Sequence, residues 1–430
     1  MTFIRRLSGH PDTQADAAQA LCTLLNEKFD FSVVPGSLVF DVSNALALNS
    51  LRAEFRTEQG QHLFLKCHHE EGEADRVGEY YRAGILEAAG FPVDSALYQS
   101  STVGEQLVIY PYRDRQLTPE LHSLSRDIEK AGCPPALMSP VIEAFDRFQE
   151  QVGQRYLDSL HMAEPDQVAD EAIHGLYHRR LVDHQDDEHF GARIRDYYLG
   201  RQFALPNGQT IEFEEFWHLQ WTINECHYPL SLHDALTTAR TLLKPMPTGP
   251  VPAMTAHGDD HTGNLLYNPG DVEGNRISYF DPAFAGSHIP ALQAPCKALY
   301  HICYAHPNML YDPAELEASV SVELEEGILH VNHDWQMSPL RQAYLQSQIE
   351  HVWEPLIAEL QKRGSLPENW QSIVNSTLLC CPVLCKNLLP GYGLPYPLTE
   401  TASILTFSIA MQLAAGGFSE KLFALLPGTH

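Results

Sequence analysis

The feature that most constrains this 430-residue chain is the segment His257-Gly258-Asp259-Asp260-His261-Thr262-Gly263-Asn264, with a further carboxylate downstream at Asp281. Residues 265–267 and 277–280 are short apolar and aromatic runs on either side of an Asn-Pro-Gly turn. This pattern is typical of two antiparallel strands joined by a loop. Such a hairpin would bring Asp281 back beside Asn264.

These residues suit one kind of chemistry. Phosphoryl transfer from a nucleotide needs a carboxylate to orient the attacking hydroxyl, oxygen ligands for magnesium, and a cation on the phosphates. Asp259 is the candidate for the first role. Asn264 follows it by five residues, which is the offset in the kinase catalytic loop H-R-D-x-x-x-x-N, and Asp281 stands where the D-F-G aspartate would be. The pattern therefore predicts a phosphotransferase site.

The segment also resembles the catalytic loop of the aminoglycoside phosphotransferase and choline kinase group of small-molecule kinases. That loop runs H-G-D-x-H-x-x-N, and every fixed position is filled between residues 257 and 264. The resemblance implies that Asp259 is the catalytic base and that Asn264 and Asp281 hold Mg²⁺. It also implies that His257 braces the loop, and that ATP or GTP is the donor.

The chain departs from the family pattern at two places. Asp260 stands where the family usually has an apolar residue. A second charge there could raise the pKa of one carboxylate, or recruit a cationic acceptor. The region 286–293 lacks the aspartate with which the family usually starts the next helix, so the position of that helix is not fixed by the resemblance.

The upstream part of the chain offers a phosphate clamp. Residues 61–67 form a strand-like run that contains Lys66 and follows a second strand and a Glu-Gln-Gly turn, which predicts a hairpin. Lys66 is placed as the strand lysine of kinases. Residues 74–89 have apolar positions at helical spacing, and Glu79 on this helix is the expected ion-pair partner of Lys66, with Glu73 as the second choice.

Other residues are candidates for nucleotide contacts. A strand ending at Tyr110 runs toward Tyr112, where the resemblance places the hinge that holds the adenine. The loop that would cover the nucleotide, residues 41–50, contains no glycine. Ser43 and Asn49 are there in its place as candidate partners of phosphate oxygens.

The predicted fold is α+β and two-lobed, like that of protein kinases. It has an N-terminal antiparallel sheet with one helix and a larger, mainly helical C-terminal lobe. The segment 116–245 is predicted to be a helical insertion that forms the acceptor pocket. The predicted units are a nucleotide-binding lobe at 1–114, a catalytic lobe at 115–430 with its catalytic and metal loops at 253–290, a hairpin insertion at 315–334, and a mostly helical remainder from 340 to 427.

The composition agrees with a soluble enzyme but does not by itself indicate one. A formal charge of −27 argues against nucleic-acid and anionic-membrane partners, which need basic patches, and mildly favours a cationic acceptor. The nine cysteines show no metal-ligand spacing, and those at 380, 381 and 385 are expected to be reduced core residues. Without a leader-like N-terminus or a membrane-length apolar run, we expect a cytoplasmic enzyme. The sequence leaves the oligomeric state open.

Several alternatives stay open at this point. Asp259, Asp260 and His261 could ligate a transition metal in a hydrolase, or the segment could be a solvated acidic turn. The chain could be a catalytically silent kinase-like protein that binds a nucleotide or a partner. It could also be a kinase whose acceptor is a protein or a glycan. The expected acceptor is a small molecule with a hydroxyl, such as an amino sugar or amino alcohol.

Overall fold

The computed structural model groups the chain around two main hydrophobic cores. The smaller core is built from residues between Ala17 and Ile109, and the larger one from residues between Leu86 and Leu422. The structure describes residues 14–40, 50–68, 82–100, 102, 105, 107–114, 117–271, 275–305, 307–392, 396–420 and 422. The protein thus has mixed α and β structure with an antiparallel sheet near its N-terminus and many helices after it.

The N-terminal sheet has five strands in the order β1-β2-β3-β5-β4, and all of its neighbouring strands are antiparallel. Helix α1 contributes Ala17, Leu21 and Leu25 to the core beside it. The elements are α1 (Gln14–Lys28), β1 (Val39–Phe40), β2 (Ser50–Arg56), β3 (His62–His68), α2 (Ala83–Ala88), β4 (Tyr98–Ser100) and β5 (Leu107–Pro111).

The predicted hairpin that carries Lys66 is confirmed. Strands β2 and β3 pair in register from Arg56 opposite His62 to Arg52 opposite Lys66, because alternating apolar residues flank a turn that ends at Gly60. Strand β3 lies in the middle of the sheet, so Lys66 is enclosed on both sides and only 2% of it is exposed.

Helix α2 is the described end of the helix predicted over 74–89, and it packs differently from the rest of the N-terminal sheet. Leu86 and the following Phe91 belong to the larger core. Farther along the chain, the Asp94 amide donates to the Tyr279 carbonyl at 2.8 Å. At the start of the helix, Arg82 donates Nη1 to the Ala285 carbonyl at 2.9 Å. This segment is therefore attached to the strands that follow the catalytic loop.

The segment 116–245 contains more β structure than predicted. Long helices occur at both ends of it, but five short strands lie between them because aromatic and β-branched residues cluster there with Gly and Asn at the turns. The elements are α3 (Leu121–Lys130), α4 (Pro135–Ser159), β6 (His161–Ala163), α5 (Pro165–Ala169), α6 (His178–Leu181), α7 (Ala192–Tyr197), β7 (Gln202–Ala204), β8 (Thr210–Glu212), α8 (Phe213–Phe216), β9 (Gln220–Ile223), β10 (Cys226–Tyr228) and α9 (Leu232–Leu242).

The catalytic loop follows a buried strand. This strand, β11 (Val251–Ala256), is the centre of a three-stranded antiparallel sheet between β6 and β14 (Gly286–Pro290). The hairpin predicted after the loop is confirmed as β12 (Leu265–Tyr267) paired with β13 (Ile277–Tyr279). A 3-10 helix at Thr262–Asn264 connects the loop to β12.

The helix after β14 begins at Cys296 and changes to a π-helix within one turn. It consists of α10 (Cys296–Ala298) and the π-helix Leu299–Tyr304. Buried Arg341 donates Nη1 to the carbonyls of Ile302 at 2.6 Å and Ala305 at 3.2 Å, and its Nε pairs with Glu129 at 2.8 Å. These bonds satisfy carbonyl groups at the end of the wider helix.

The rest of the chain agrees with the sequence-based predictions. A hairpin lies within 315–334, and helices dominate after residue 338. Of the three cysteines expected in a core, Cys380 and Cys381 are buried and Cys385 is half-buried, and all nine cysteines are free thiols. Among the described helices, none has both the length and the apolar character needed to cross a membrane. The elements are α11 (Pro307–Leu310), β15 (Val320–Glu325), β16 (Ile328–His333), α12 (Pro339–Gln348), a π-helix (Ile349–Trp353), α13 (Glu354–Lys362), α14 (Trp370–Val383) and α15 (Glu400–Ala414).

Candidate active site

The catalytic loop turns sharply at Gly258. Its φ is +82°, a left-handed conformation that side chains disfavour. A Cβ atom at this position would lie 2.5 Å from the carbonyl oxygen of Phe284. Only glycine therefore allows the loop to leave β11 and pass this closely under the segment that follows Asp281.

His257 holds the loop against the next hairpin. Its Nε2 lies 3.0 Å from the Phe280 carbonyl, and its Nδ1 accepts a hydrogen bond from the Asp259 amide at 3.2 Å. Burial lowers the pKa of this imidazole, so the neutral form with its proton on Nε2 satisfies both bonds. The bracing position that the resemblance implied for His257 matches these contacts.

Asp259 is held as an ionised carboxylate near the surface of a cleft, with 19% of its side chain exposed. Burial by itself would raise its pKa, but the charge of Lys297, followed by those of His261, His257 and Arg180, outweighs burial and holds the pKa well below its usual range. The Lys297 Nζ lies 3.4 Å from Asp259 Oδ1. A carboxylate that stays ionised can accept a hydrogen bond from an incoming hydroxyl at any physiological pH.

The candidate oxygen donors for a metal ion are the side chains of Asn264 and Asp281. The Asn264 side-chain amide donates to the Asp259 carbonyl at 2.8 Å, which leaves the amide oxygen as the end that can bind a cation. The Phe280 amide donates to the Asn264 carbonyl at 2.8 Å, so the hairpin brings Asp281 close as predicted. An amide oxygen and a carboxylate suit Mg²⁺, and these residues fit the ion that the resemblance implied.

Lys66 of the N-terminal sheet forms an ion pair with Asp281. Asp281 has a φ of +57°, an uncommon conformation that aspartate tolerates better than most residues, and its carboxylate meets the lysine there. The Lys66 ammonium also lies 5.5 Å from the centre of the Phe280 ring. Burial lowers the pKa of Lys66, while the charge of Asp281 opposes this shift.

Asp260 faces away from the cleft. It is 3% exposed, and its Oδ2 lies 3.5 Å from the Tyr156 hydroxyl and 3.4 Å from the Tyr279 hydroxyl. The His261 Nδ1 accepts from the Gly263 amide at 3.1 Å. Within the described ranges, no three His, Cys, Asp or Glu side chains are grouped to hold a metal. This arrangement supports neither a transition-metal hydrolase site nor recruitment of a cationic acceptor by Asp260.

Asp260 has a measurable consequence for stability. Burial, with help from the charge of Asp259, raises its pKa from 3.8 to about 7. The folded state therefore binds a proton more tightly than the unfolded state, and this residue lowers the free energy of unfolding as pH rises from about 4 to 7. Asp260→Asn should remove this pH-dependent loss of stability. At roughly 1.4 kcal/mol per pKa unit, we expect the free energy of unfolding of the variant to exceed that of wild type by up to about 4 kcal/mol at pH 8.

Chemical denaturation of wild type and Asp260→Asn between pH 4 and 8 would measure this effect. The free-energy curves should converge near pH 4 and separate toward pH 8, with the variant the more stable protein. Parallel curves would show that Asp260 is not buried as a protonated acid.

A cavity of about 310 Å³ lies between the N-terminal sheet and the residues around Phe280. Tyr110 and Tyr112, the candidate hinge residues, both line it, together with Pro111. The Tyr112 amide donates to the His62 carbonyl at 3.0 Å, and its ring stacks on His62 at 3.8 Å. Phe40, Phe64, Leu266 and Phe280 supply apolar surface in the same cavity.

Three candidate residues, Ser43, Asn49 and Glu79, lie outside the described residues, so their roles stay predictions. Lys297 and Arg180 were not predicted from the sequence as neighbours of Asp259. A lysine in the apolar context Ala-Pro-Cys-Lys-Ala-Leu is a signal that could have indicated a buried cation, since lysine is rarely buried without a partner.

No protein-family model matches the chain, and no curated protein matches it. Solved structures that resemble it are small-molecule phosphotransferases and kinases. An amicoumacin kinase shares 11% identity over 90% of both chains, with a TM-score of 0.41. A macrolide 2'-phosphotransferase from Brachybacterium faecium shares 13% identity over 96% of this chain and 99% of its own, with a TM-score of 0.36. A glucosamine kinase shares 11% identity over 92% and 94%, with a TM-score of 0.35.

These neighbours are of the kind that the catalytic-loop resemblance led us to expect. At such TM-scores and identities, the similarity does not by itself assign a function. The residues of the cleft are the basis for the proposal that follows.

Proposed function

We propose that the protein is an ATP-dependent kinase with a two-lobed, protein kinase-like fold, which transfers the γ-phosphate to a hydroxyl of a small molecule. The observation that carries this proposal is the meeting of Lys66, Asp281, Asn264 and Asp259 beside a cavity of about 310 Å³. Lys66 would hold the phosphates, Asn264 and Asp281 would be the oxygen ligands, and Asp259 would be the base. These residues come from separate parts of the chain, and phosphoryl transfer needs their groups together.

The cavity is the proposed adenine site. Strand β3 pairs with β5 through Phe64 opposite Tyr110 and also bonds the Tyr112 amide. Successive backbone groups of a strand alternate in direction. The Pro111 carbonyl and the Arg113 amide therefore point away from β3. Both residues line the cavity. A carbonyl acceptor at Pro111 followed by an amide donor at Arg113 suits the edge of adenine, so these two residues supply the hinge hydrogen bonds. Tyr110 and Tyr112 supply ring surface to the same site.

The reaction at the other end of the cleft is an in-line transfer. The acceptor hydroxyl donates a hydrogen bond to Asp259, its oxygen bonds to the γ-phosphorus as the bond to the β–γ bridging oxygen breaks, and its proton passes to Asp259. Since the pKa of Asp259 is depressed, this carboxylate orients the hydroxyl and takes the proton late, as a loose transition state allows. Magnesium on Asn264 and Asp281 would neutralise phosphate charge.

The charges near Asp259 bear on the acceptor. Lys297 and Arg180 both place positive charge there, which disfavours an ammonium group directly beside the reacting hydroxyl. We therefore propose that any cationic group of an amino sugar or amino alcohol acceptor lies farther from the reaction centre.

Calorimetric binding of AMP-PNP with and without Mg²⁺, on wild type and on Asp281→Ala, tests the proposal. We expect Mg²⁺-dependent binding to wild type and no effect of Mg²⁺ on the variant, because a principal ligand is lost. Asp94→Ala is a matched control, since this carboxylate lines the cavity but contacts Arg113 at 3.2 Å, and it should keep the Mg²⁺ dependence. Identical metal titrations for wild type and Asp281→Ala would contradict the assignment.

The sequence also allows a catalytically silent kinase-like protein that binds a nucleotide or a partner. No feature of the described cleft residues favours this alternative. A protein or glycan acceptor is distinguished by experiment. Labelled γ-phosphate should appear in a small-metabolite fraction, whereas a protein or glycan kinase would label the macromolecular fraction.

A further inference from the structure

Lys297 is a buried cation at the reaction centre. It lies in α10, directly after the segment that follows β14, with 5% of its surface exposed. Moving an ammonium group out of water costs several kcal/mol unless a partner compensates. The ion-pair partner that the described residues offer is Asp259 Oδ1, at 3.4 Å from Nζ. The fold therefore places a buried ammonium group, at a cost in desolvation, beside the proposed catalytic base.

The ion pair between Lys297 and Asp259 is longer than a hydrogen-bonded salt bridge. A separation of 3.4 Å exceeds the 2.7–3.2 Å that is usual for N–H···O hydrogen bonds, and Asp259 Oδ1 has no hydrogen-bond partner among the described residues. A lysine ammonium has three donors. Lys297 therefore has donors left for an oxygen that arrives next to Asp259.

Among the described lysines and arginines, Lys297 forms an ion pair with Asp259, while Arg180 also contributes positive charge there. The loop from His257 to Asn264 contains no Lys or Arg, and Lys66 is paired with Asp281. His301 follows Lys297 by one helical turn and is buried. Burial lowers the pKa of His301 well below its usual value, so it is neutral and adds no charge.

We propose that Lys297 is a catalytic residue whose ammonium binds a non-bridging oxygen of the phosphoryl group during its transfer from ATP to the acceptor hydroxyl at Asp259. This role rests on the proposed kinase function. Lys297 keeps its proton throughout, while the phosphorus exchanges its bond to the β–γ bridging oxygen for one to the hydroxyl oxygen. A fixed cation where charge is exposed in the transition state stabilises that state more than the bound nucleotide.

The test compares a mimic of the transferring phosphoryl group with a ground-state nucleotide. The affinity for ADP with Mg²⁺ is measured with and without fluoroaluminate, and AMP-PNP affinity is measured separately. We expect fluoroaluminate to tighten ADP binding by wild type, and Lys297→Met to lose about 10²-fold of that gain, the worth of one oxyanion donor. AMP-PNP affinity should stay within about threefold, since this contact is made only to the transferring group.

Two further variants separate catalysis from folding. Lys297→Arg keeps the charge and should recover part of the gain. Lys386→Met removes another half-buried ammonium, which donates to the Leu310 and Tyr396 carbonyls at 2.7 and 2.6 Å, and should keep the full gain. Because Lys297→Met leaves Asp259 unpaired, the double variant with Asp259→Asn serves as a folded reference if the single variant is unstable. The double variant should then show a fluoroaluminate gain about 10²-fold smaller than that of Asp259→Asn alone.

The outcomes are distinct. A full fluoroaluminate gain in Lys297→Met, or in the double variant relative to Asp259→Asn, overturns the proposal while leaving the kinase function intact. A wild type that binds ADP but gains nothing from fluoroaluminate also overturns it. Failure of wild type to bind AMP-PNP would instead refute the proposed function itself. An equal loss of AMP-PNP and fluoroaluminate binding would assign Lys297 a purely structural role.

Discussion

Asp259→Asn is expected to lower kcat by about 10²- to 10⁴-fold, the usual worth of a positioned acid or base, with AMP-PNP affinity nearly unchanged. Asparagine keeps the size of the side chain but can neither take the proton nor remain an anion beside Lys297. The nucleotide is unaffected because its proposed contacts, in the cavity and at Lys66, lie on other elements. Steady-state kinetics with an acceptor identified by screening would measure the change.

The adjacent carboxylate supplies the control. Asp260→Asn removes a charge one residue away, but Asp260 contacts two tyrosines and not the cleft, so kcat should fall by less than the roughly 10²-fold lower bound for a catalytic group. Equal turnover by wild type and Asp259→Asn would remove Asp259 from the mechanism. Equal losses in both variants would point to a general disturbance of the loop.

Gly258→Ala is expected to abolish most activity and to lower the free energy of unfolding by about 2–5 kcal/mol. Two costs add here. A left-handed conformation costs a residue with a Cβ about 1–2 kcal/mol, and overpacking costs about 1–3 kcal/mol more because the new Cβ would lie 2.5 Å from the Phe284 carbonyl oxygen. The loop can relieve this contact only by moving Asp259 away from its present position.

Gly60→Ala isolates the first of these costs. Gly60 has a φ of +85°, and nothing lies within 4 Å of the Cβ that alanine would add. Chemical denaturation should therefore show a loss of only about 1–2 kcal/mol for Gly60→Ala, with normal kinetics. A Gly258→Ala variant no less stable than Gly60→Ala would mean that the Phe284 carbonyl does not constrain the loop.

Local sequence patterns were sufficient to predict the elements that depend on residues close together in the chain. The hairpin that carries Lys66 and the hairpin between Asn264 and Asp281 both follow from apolar runs around turn residues. The bracing of the loop by His257 followed from the resemblance of the catalytic loop. These features depend on residues close in sequence, where turn chemistry and alternation act directly.

Features that depend on tertiary packing could not be predicted. Lys66 pairs with Asp281 in the structure, and its expected pairing with Glu79 remains a prediction. Lys297 reaches Asp259 from a helix whose start the sequence did not fix, so no local spacing connects the two residues. For Asp260 the sequence left open a raised carboxylate pKa or recruitment of a cationic acceptor. The structure places this residue in the core beside the phenol groups of Tyr156 and Tyr279, where burial raises its pKa.

The attachment of helix α2 to the larger core bears on how such an enzyme can be controlled. Leu86 and Phe91 lie in that core, and Arg82 donates a hydrogen bond to the Ala285 carbonyl, four residues beyond Asp281. A switch that moves this end of the helix would have to extract two buried apolar side chains and break the partly buried hydrogen bond between Arg82 and Ala285. The described end of this helix is thus fixed to the larger core by folding itself, without a separate activating step at this contact.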